Sequence, residues 1–157
     1  MKGRTVVENL HKNSEPGRKK DTMTLQSELR HSESMEHFIK ENQSEFDTMS
    51  VSEYLSVLLK KYNVDKSDVS KRGGFAGNYA YQIINGNKNA SRDKLIQLAL
   101  GFPLTLEDTQ ELLRLGGYAE LYVRDSRDAF LMFALEKKYT MSELNELLYK
   151  NKKKMIE

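Results

Sequence analysis

The chain has 157 residues, of which 38% are hydrophobic and 31% charged, with a formal net charge of +2. That length suits one ordinary domain or a small one with appendages, and the low apolar share argues for an ordered body carrying a polar extension. Cysteine is absent, which excludes disulfides and thiolate metal sites.

No apolar run approaches the roughly 20 residues a membrane span requires. The first residues also lack the apolar core of a signal peptide. A cytoplasmic protein without membrane contact is therefore expected. His11, His31 and His37 all lie in the polar N-terminal third. His31 and His37 are six apart, not the i, i+4 spacing of a helical metal pair, so they read as solvated histidines with no metal and no cofactor.

In chain order, residues 1–49 form a polar tail, disordered or loosely helical. Residues 1–21 contain Pro16-Gly17 and the run Arg18-Lys19-Lys20, with little apolar pattern beyond Val6, Val7 and Leu10, and read as disordered. A weak helical signal over 24–45 rests on Leu25, Leu29, Met35, Phe38 and Ile39.

Ser50-Val51-Ser52-Glu53 is a capping box, followed by Tyr54, Leu55, Leu58, Leu59 and Tyr62 at helical spacing. Asp65 caps a second helix ending at Gly73-Gly74. A third runs from about Gly77 to Asn85, closed by Gly86. Ser91 opens a fourth, with Leu95, Ile96, Ala99 and Leu100 apolar and Pro103 as its stop. Thr105 and Asp108 start a fifth that ends at Gly116-Gly117, closing a domain of residues 50–117.

Residues 118–157 form a C-terminal helical extension. Asp125 or Ser126 starts the sixth helix, whose stretch 129–135 is apolar nearly all round and is expected to be the most buried piece. Thr140-Met141-Ser142-Glu143 caps the seventh, where Leu144, Leu147 and Leu148 repeat at helical spacing. No strand is expected, so the fold class is all-α.

Charge is uneven along this plan. Residues 50–100 carry 8 basic and 4 acidic side chains, a net of +4, while the segments on either side are each at −1. A phosphate-binding surface fits that middle segment. The segment resembles the helix-turn-helix domain of the Xre/Cro family of phage-type repressors. The resemblance rests on Val69, the Gly73-Gly74 turn, and Tyr79-Ala80-Tyr81-Gln82-Ile83-Ile84 followed by Asn85-Gly86. It is completed by the opening Ser91-Arg92-Asp93-Lys94-Leu95. It covers about a third of the chain and implies a lambda-repressor-like bundle, double-stranded DNA as partner, and paired half-sites bound by a homodimer. The expected dimer surface lies after Tyr118.

The physical logic does not depend on the family. A helix entering the major groove needs an apolar face to hold it on the bundle and a polar face to read bases. Ala80, Ile83 and Ile84 supply the first, and Asn78, Tyr81 and Gln82 are the candidate base contacts. Gln82 leads, because a glutamine amide can bond adenine N6 and N7 together, and its place matches one where the family often carries a base-reading glutamine. Lys71, Arg72, Asn85, Lys88, Arg92 and Lys94 are the candidate phosphate contacts. Gly77 departs from the family pattern, standing where a polar contacting side chain is common.

Two other function classes bear on the same residues. The same scaffold serves as a protein-interaction module or inhibitor in the alternative reading, with the tail or the C-terminal helices as the partner surface. An enzyme is not expected. The glycines at 73, 74 and 77 do not spell a phosphate-binding fingerprint, there is no cysteine nucleophile, and no histidine lies in the ordered body.

Overall fold

The computed structural model describes residues 20–46 and 49–157, and these residues are all-α: ten helices and no strand. The expected disorder of residues 1–21 falls outside the described residues as far as Lys19; Lys20 and Asp21 are described, and both take ordered places in the first unit, by a bond to Asn42 and as a helix cap. The chain divides into two compact units at 49/50.

In the first unit, α1 spans Thr22–His31, α2 Met35–Glu41 and α3 Gln43–Phe46. Asp21 and Ser34 cap the first two through bonds from Thr24 N–H and His37 N–H. Lys20 Nζ joins the turns by donating to Glu28 and to Asn42 Oδ1 at 2.8 Å. Phe38 is the one buried apolar side chain among the described residues here, edge-on to Phe46. With so little burial, the weak periodicity read over 24–45 is understandable: most of its apolar side chains have no core to enter.

The second unit contains seven helices: α4 Val51–Lys61, α5 Lys66–Arg72, α6 Tyr79–Ile84, α7 Arg92–Gly101, α8 Leu106–Leu115, α9 Ser126–Glu136 and α10 Met141–Lys150. Six of them open on a side-chain cap that accepts from the N–H three residues on: Ser50, Asp65, Ser91, Thr105, Asp125 and Thr140. Each such bond satisfies one of the free N–H groups of a first turn, worth about 1 kcal/mol.

The centre of this unit is α7, which packs on α5, α8 and α9. Every residue from Leu95 to Phe102 is buried. This corrects the expectation that residues 129–135 would be the most buried piece. In α9 only Leu131, Ala134 and Leu135 of that stretch are buried, and Phe133 is 46% exposed with its ring set edge-on to Tyr139. Apolar composition does not guarantee burial; α9 keeps one face in solvent, whereas α7 is covered from several directions.

The close approach of α7 to α5 depends on Gly101. A Cβ placed there would lie 2.5 Å from the Val69 carbonyl oxygen and 3.3 Å from Gly73 N. The C-terminal helices join the same body. Arg92 and Arg127 reach across from α7 and α9 to Asp128 and Asp93, and residues 145 and 156 bond reciprocally through the Asn145 amide and the Ile156 backbone.

Candidate nucleic-acid interface

α5 ends at Arg72 with a sequence of glycines that turns the chain into α6. Gly74 and Gly77 adopt φ of +66° and +53°, the left-handed region that suits residues without a Cβ. The expected start of the third helix at Gly77 is thereby corrected: left-handed backbone cannot continue into a right-handed helix, so α6 begins at Tyr79 with Asn78 before it. The turn, residues 73–78, is six residues long, against the three or four of a tight helix-turn-helix. Asn78 makes no side-chain capping bond, which leaves its amide exposed.

α6 is short, six residues, and its two faces differ sharply. Ala80, Ile83 and Ile84 are buried, at 0–1% exposure, against α4 and α5. Tyr81 and Gln82 are half-buried on other faces, and Gln82 N–H bonds the Asn78 carbonyl one turn back at 3.1 Å. Asn78 and Gln82 therefore follow one another along the outer side. At its far end the helix is pinned by Ser52 Oγ, which donates to the Ile84 carbonyl at 2.7 Å. Gly86, at φ +81°, closes it.

The expected phosphate contacts divide into three groups. Lys71 and Arg72 are exposed in the last turn of α5, where their charge complements the helix dipole. Lys88 and Lys94 converge on one ring: their Nζ atoms lie 4.2 and 5.3 Å from the Tyr79 centroid. The remaining two are engaged elsewhere. Asn85 Oδ1 accepts from Lys66 Nζ.

Arg92 is turned inward onto other partners, with its side chain 25% exposed. Its guanidinium makes two bonds to the Asp128 carboxylate, at 3.0 and 2.9 Å, and two more to the carbonyls of Ala119 and Glu120. Those bonds hold Arg92 more firmly protonated. On Asp128, burial pushes the pKa up, but the Arg92 bonds, the Tyr122 N–H and the nearby arginine charges outweigh it and bring it below the usual value. An arginine fixed in this way is not free to grip a phosphate.

Several residues that shape the site carried no signal in the sequence. Gln97, 4% exposed within α7, donates Nε2 to the Gly73 carbonyl at 2.7 Å and accepts from Lys94 Nζ at 3.1 Å. It ties the end of α5, the centre of α7 and one of the surface lysines together. Phe75 stacks nearly parallel to Tyr79, at 12° and 6.1 Å between centroids. Gly73 makes room for that ring, since a Cβ there would lie 2.7 Å from Phe75 Cε2. Only the four-residue spacing of Phe75 and Tyr79 hinted at the pair, and it spans a turn rather than a helix.

Among the described residues no group of three or more His, Cys, Asp or Glu side chains is placed to hold a metal ion. No helix there is long and apolar enough to cross a membrane. Comparison with family models, with characterised proteins and with solved structures finds no match to this chain.

Proposed function

We propose that this chain is a DNA-binding transcriptional regulator of helix-turn-helix type that sets α6 into the major groove of duplex DNA. The observation that carries this reading is the division of α6. Its Ala80, Ile83 and Ile84 are buried while Asn78 is exposed and Gln82 half-exposed, with Lys71, Arg72, Lys88 and Lys94 in the adjoining turns. An amide pair of this kind can read base edges, and the cations can fix register on the phosphates without reading sequence. Tyr81 is the third base contact in this reading. Of the phosphate set, Arg92 is withdrawn, because its guanidinium belongs to Asp128. A homodimer would engage two half-sites, with Tyr122 and Val123, exposed apolar side chains after Tyr118, at its dimer surface.

A second reading is favoured by one observation. The first unit exposes Met23, Leu29, Met35, Ile39 and Phe46 around a single buried phenylalanine, an apolar surface suited to a protein partner. In that case the helix-turn-helix is a scaffold for protein recognition or inhibition.

The test is binding to duplex DNA from the protein's own promoter and to a scrambled duplex, across a salt series, with Gln82→Ala beside the native chain. The DNA reading expects preference for the promoter, affinity falling steeply with salt, and loss of the preference in Gln82→Ala. Binding no tighter than the roughly 10⁻⁴–10⁻⁶ M of non-specific contact, to both duplexes, shifts the account to the protein-binding scaffold.

A further inference from the structure

Around the start of α6 the chain builds a cluster that base reading does not use. Phe75, in the turn before α6, and Tyr79, its first residue, stack nearly parallel. Lys88, from the loop after α6, places Nζ 4.2 Å from the Tyr79 centroid. Lys94, from the first turns of α7, places Nζ 5.3 Å from the same centroid and 5.9 Å from that of Phe75. The two ammonium groups therefore cannot be farther apart than their two distances to the Tyr79 ring together.

Two like charges held beside one ring repel each other. Among the described residues neither is paired with a carboxylate: Lys94 Nζ bonds the neutral Gln97 amide, and Lys88 Nζ has the ring. Nearby Asp93 is not the missing counter-ion, because Arg127 holds both of its oxygens. What offsets the repulsion is the negative face of the aromatic ring. The cluster is thus a pair of cations held in place by aromatics and lacking an anion.

We infer that Phe75 and Tyr79 are positioning residues that hold Lys88 and Lys94 in a preset pair for the phosphodiester backbone of duplex DNA. This rests on the DNA reading above and deepens it. Lysine binds phosphate as a flexible point charge and loses rotamer freedom on contact. A ring that already restrains the ammonium lowers that loss. The rings hold both lysines beside the start of α6, so the grip also sets how that end of the helix meets the groove. Gln97 extends the arrangement inward, from Lys94 to the Gly73 carbonyl at the end of α5.

The experiment is a double-mutant cycle on the full chain with duplex DNA, read as affinity and as the slope of log affinity against log salt. The variants are Tyr79→Leu, Tyr79→Phe, the pair Lys88→Gln with Lys94→Gln, and the combination of Tyr79→Leu with both glutamines. Circular dichroism of each checks the fold. The lysine pair is expected to lower the salt slope by about 1.8, the release from two phosphates. Tyr79→Leu is expected to cost about threefold in affinity where the lysines are present, and nothing further where they are glutamines. Tyr79→Phe, which keeps the ring, is expected to bind as the native chain does.

A tyrosine that merely packs α6 costs the same affinity in both backgrounds, and that additive result overturns the inference while leaving DNA binding intact. An unchanged salt slope in the lysine pair overturns it as well. Absence of duplex binding by the native chain, even at low salt, overturns both this inference and the reading beneath it.

Discussion

Arg92, the first residue of α7, and Asp128, in the first turn of α9, meet in a two-bond fork, Nη1 to Oδ1 at 3.0 Å and Nη2 to Oδ2 at 2.9 Å. Their neighbours repeat it with the roles exchanged: Arg127 on α9 forks onto Asp93 on α7, at 3.0 and 2.9 Å. A cation at a helix N-terminus opposes the helix dipole, so Arg92 is poorly placed by local rules. Its partner across the interface resolves the conflict, since bidentate arginine–carboxylate pairs are among the stronger polar contacts. The fork also explains why the C-terminal helices belong to the same body as the residues before them.

Arg92→Ala separates a structural role from a phosphate contact. The Asp128 side chain is only 9% exposed and would lose its main partner. The expected cost is about 2 kcal/mol of stability, seen as a lowered urea midpoint. In the proposed binding to DNA, the salt slope is expected to stay as in the native chain. A slope lower by about 0.9 would return Arg92 to the phosphate surface.

Stability against pH is expected to respond to Asp108, which joins α4 to α8. Its carboxylate accepts from Tyr62 Oη at 2.6 Å, Lys61 Nζ at 2.8 Å and Tyr54 Oη at 3.3 Å. Burial pushes the Asp108 pKa up, but the bonds from Lys61 and Tyr62, with the lysine charge, outweigh it and leave it below the ordinary value. The pKa of Tyr54 is pushed well up by burial and then by the Asp108 charge, and that of Tyr62 is raised by burial and by its bond to Asp108.

The signs then give two limbs. A depressed carboxyl contributes stability above its unfolded value that is lost as pH falls through the folded one, so the urea midpoint should drop below about pH 4. Raised tyrosines contribute stability below their unfolded value that is lost as pH climbs past about 10. Asp108→Asn is expected to make the acid limb shallower, leaving the share of Asp128, whose pKa is also lowered. Acid limbs of equal steepness in the two proteins would show that Asp108 does not set it.

Gly101→Ala tests the α5–α7 contact. By helix propensity alone, alanine in place of the glycine that ends α7 should stabilise, by at most about 1 kcal/mol. The added Cβ, however, would stand 2.5 Å from the Val69 carbonyl and 3.1 Å from Val69 Cγ1. A backbone oxygen cannot swing aside as a side-chain tip can, so the two helices must separate, at an expected net cost of about 1–3 kcal/mol. Urea denaturation reads the sign directly, and a gain in stability would refute the close approach.

How much was legible in advance depended on the range of the interactions involved. The starts of α4, α5, α7, α8, α9 and α10 could be read because Ser50, Asp65, Ser91, Thr105, Asp125 and Thr140 act three residues away, within one turn. The apolar face of α6 was legible for the same reason: Ala80, Ile83 and Ile84 lie at the spacing of a single helix face. The start of α6 lies two residues beyond the one its pattern suggests, because Gly77 in a helical pattern looks like a weak helical residue, and only its left-handed backbone shows that the turn still continues there.

The sequence by itself determined the all-helical class, the caps, and the split of α6 into a buried and an open face, all of them consequences of neighbours within a few positions. The tertiary structure alone decided the rest. It made α7 the centre in place of α9, drew Arg92 inward across 36 residues to Asp128, and brought Lys88 and Lys94 onto one ring. The reason is physical. A cap or an amphipathic stripe draws its energy from groups the chain already holds side by side. A charge or a ring gains its partner only after the backbone has folded, and until then arginine, lysine and leucine each fit many places equally well.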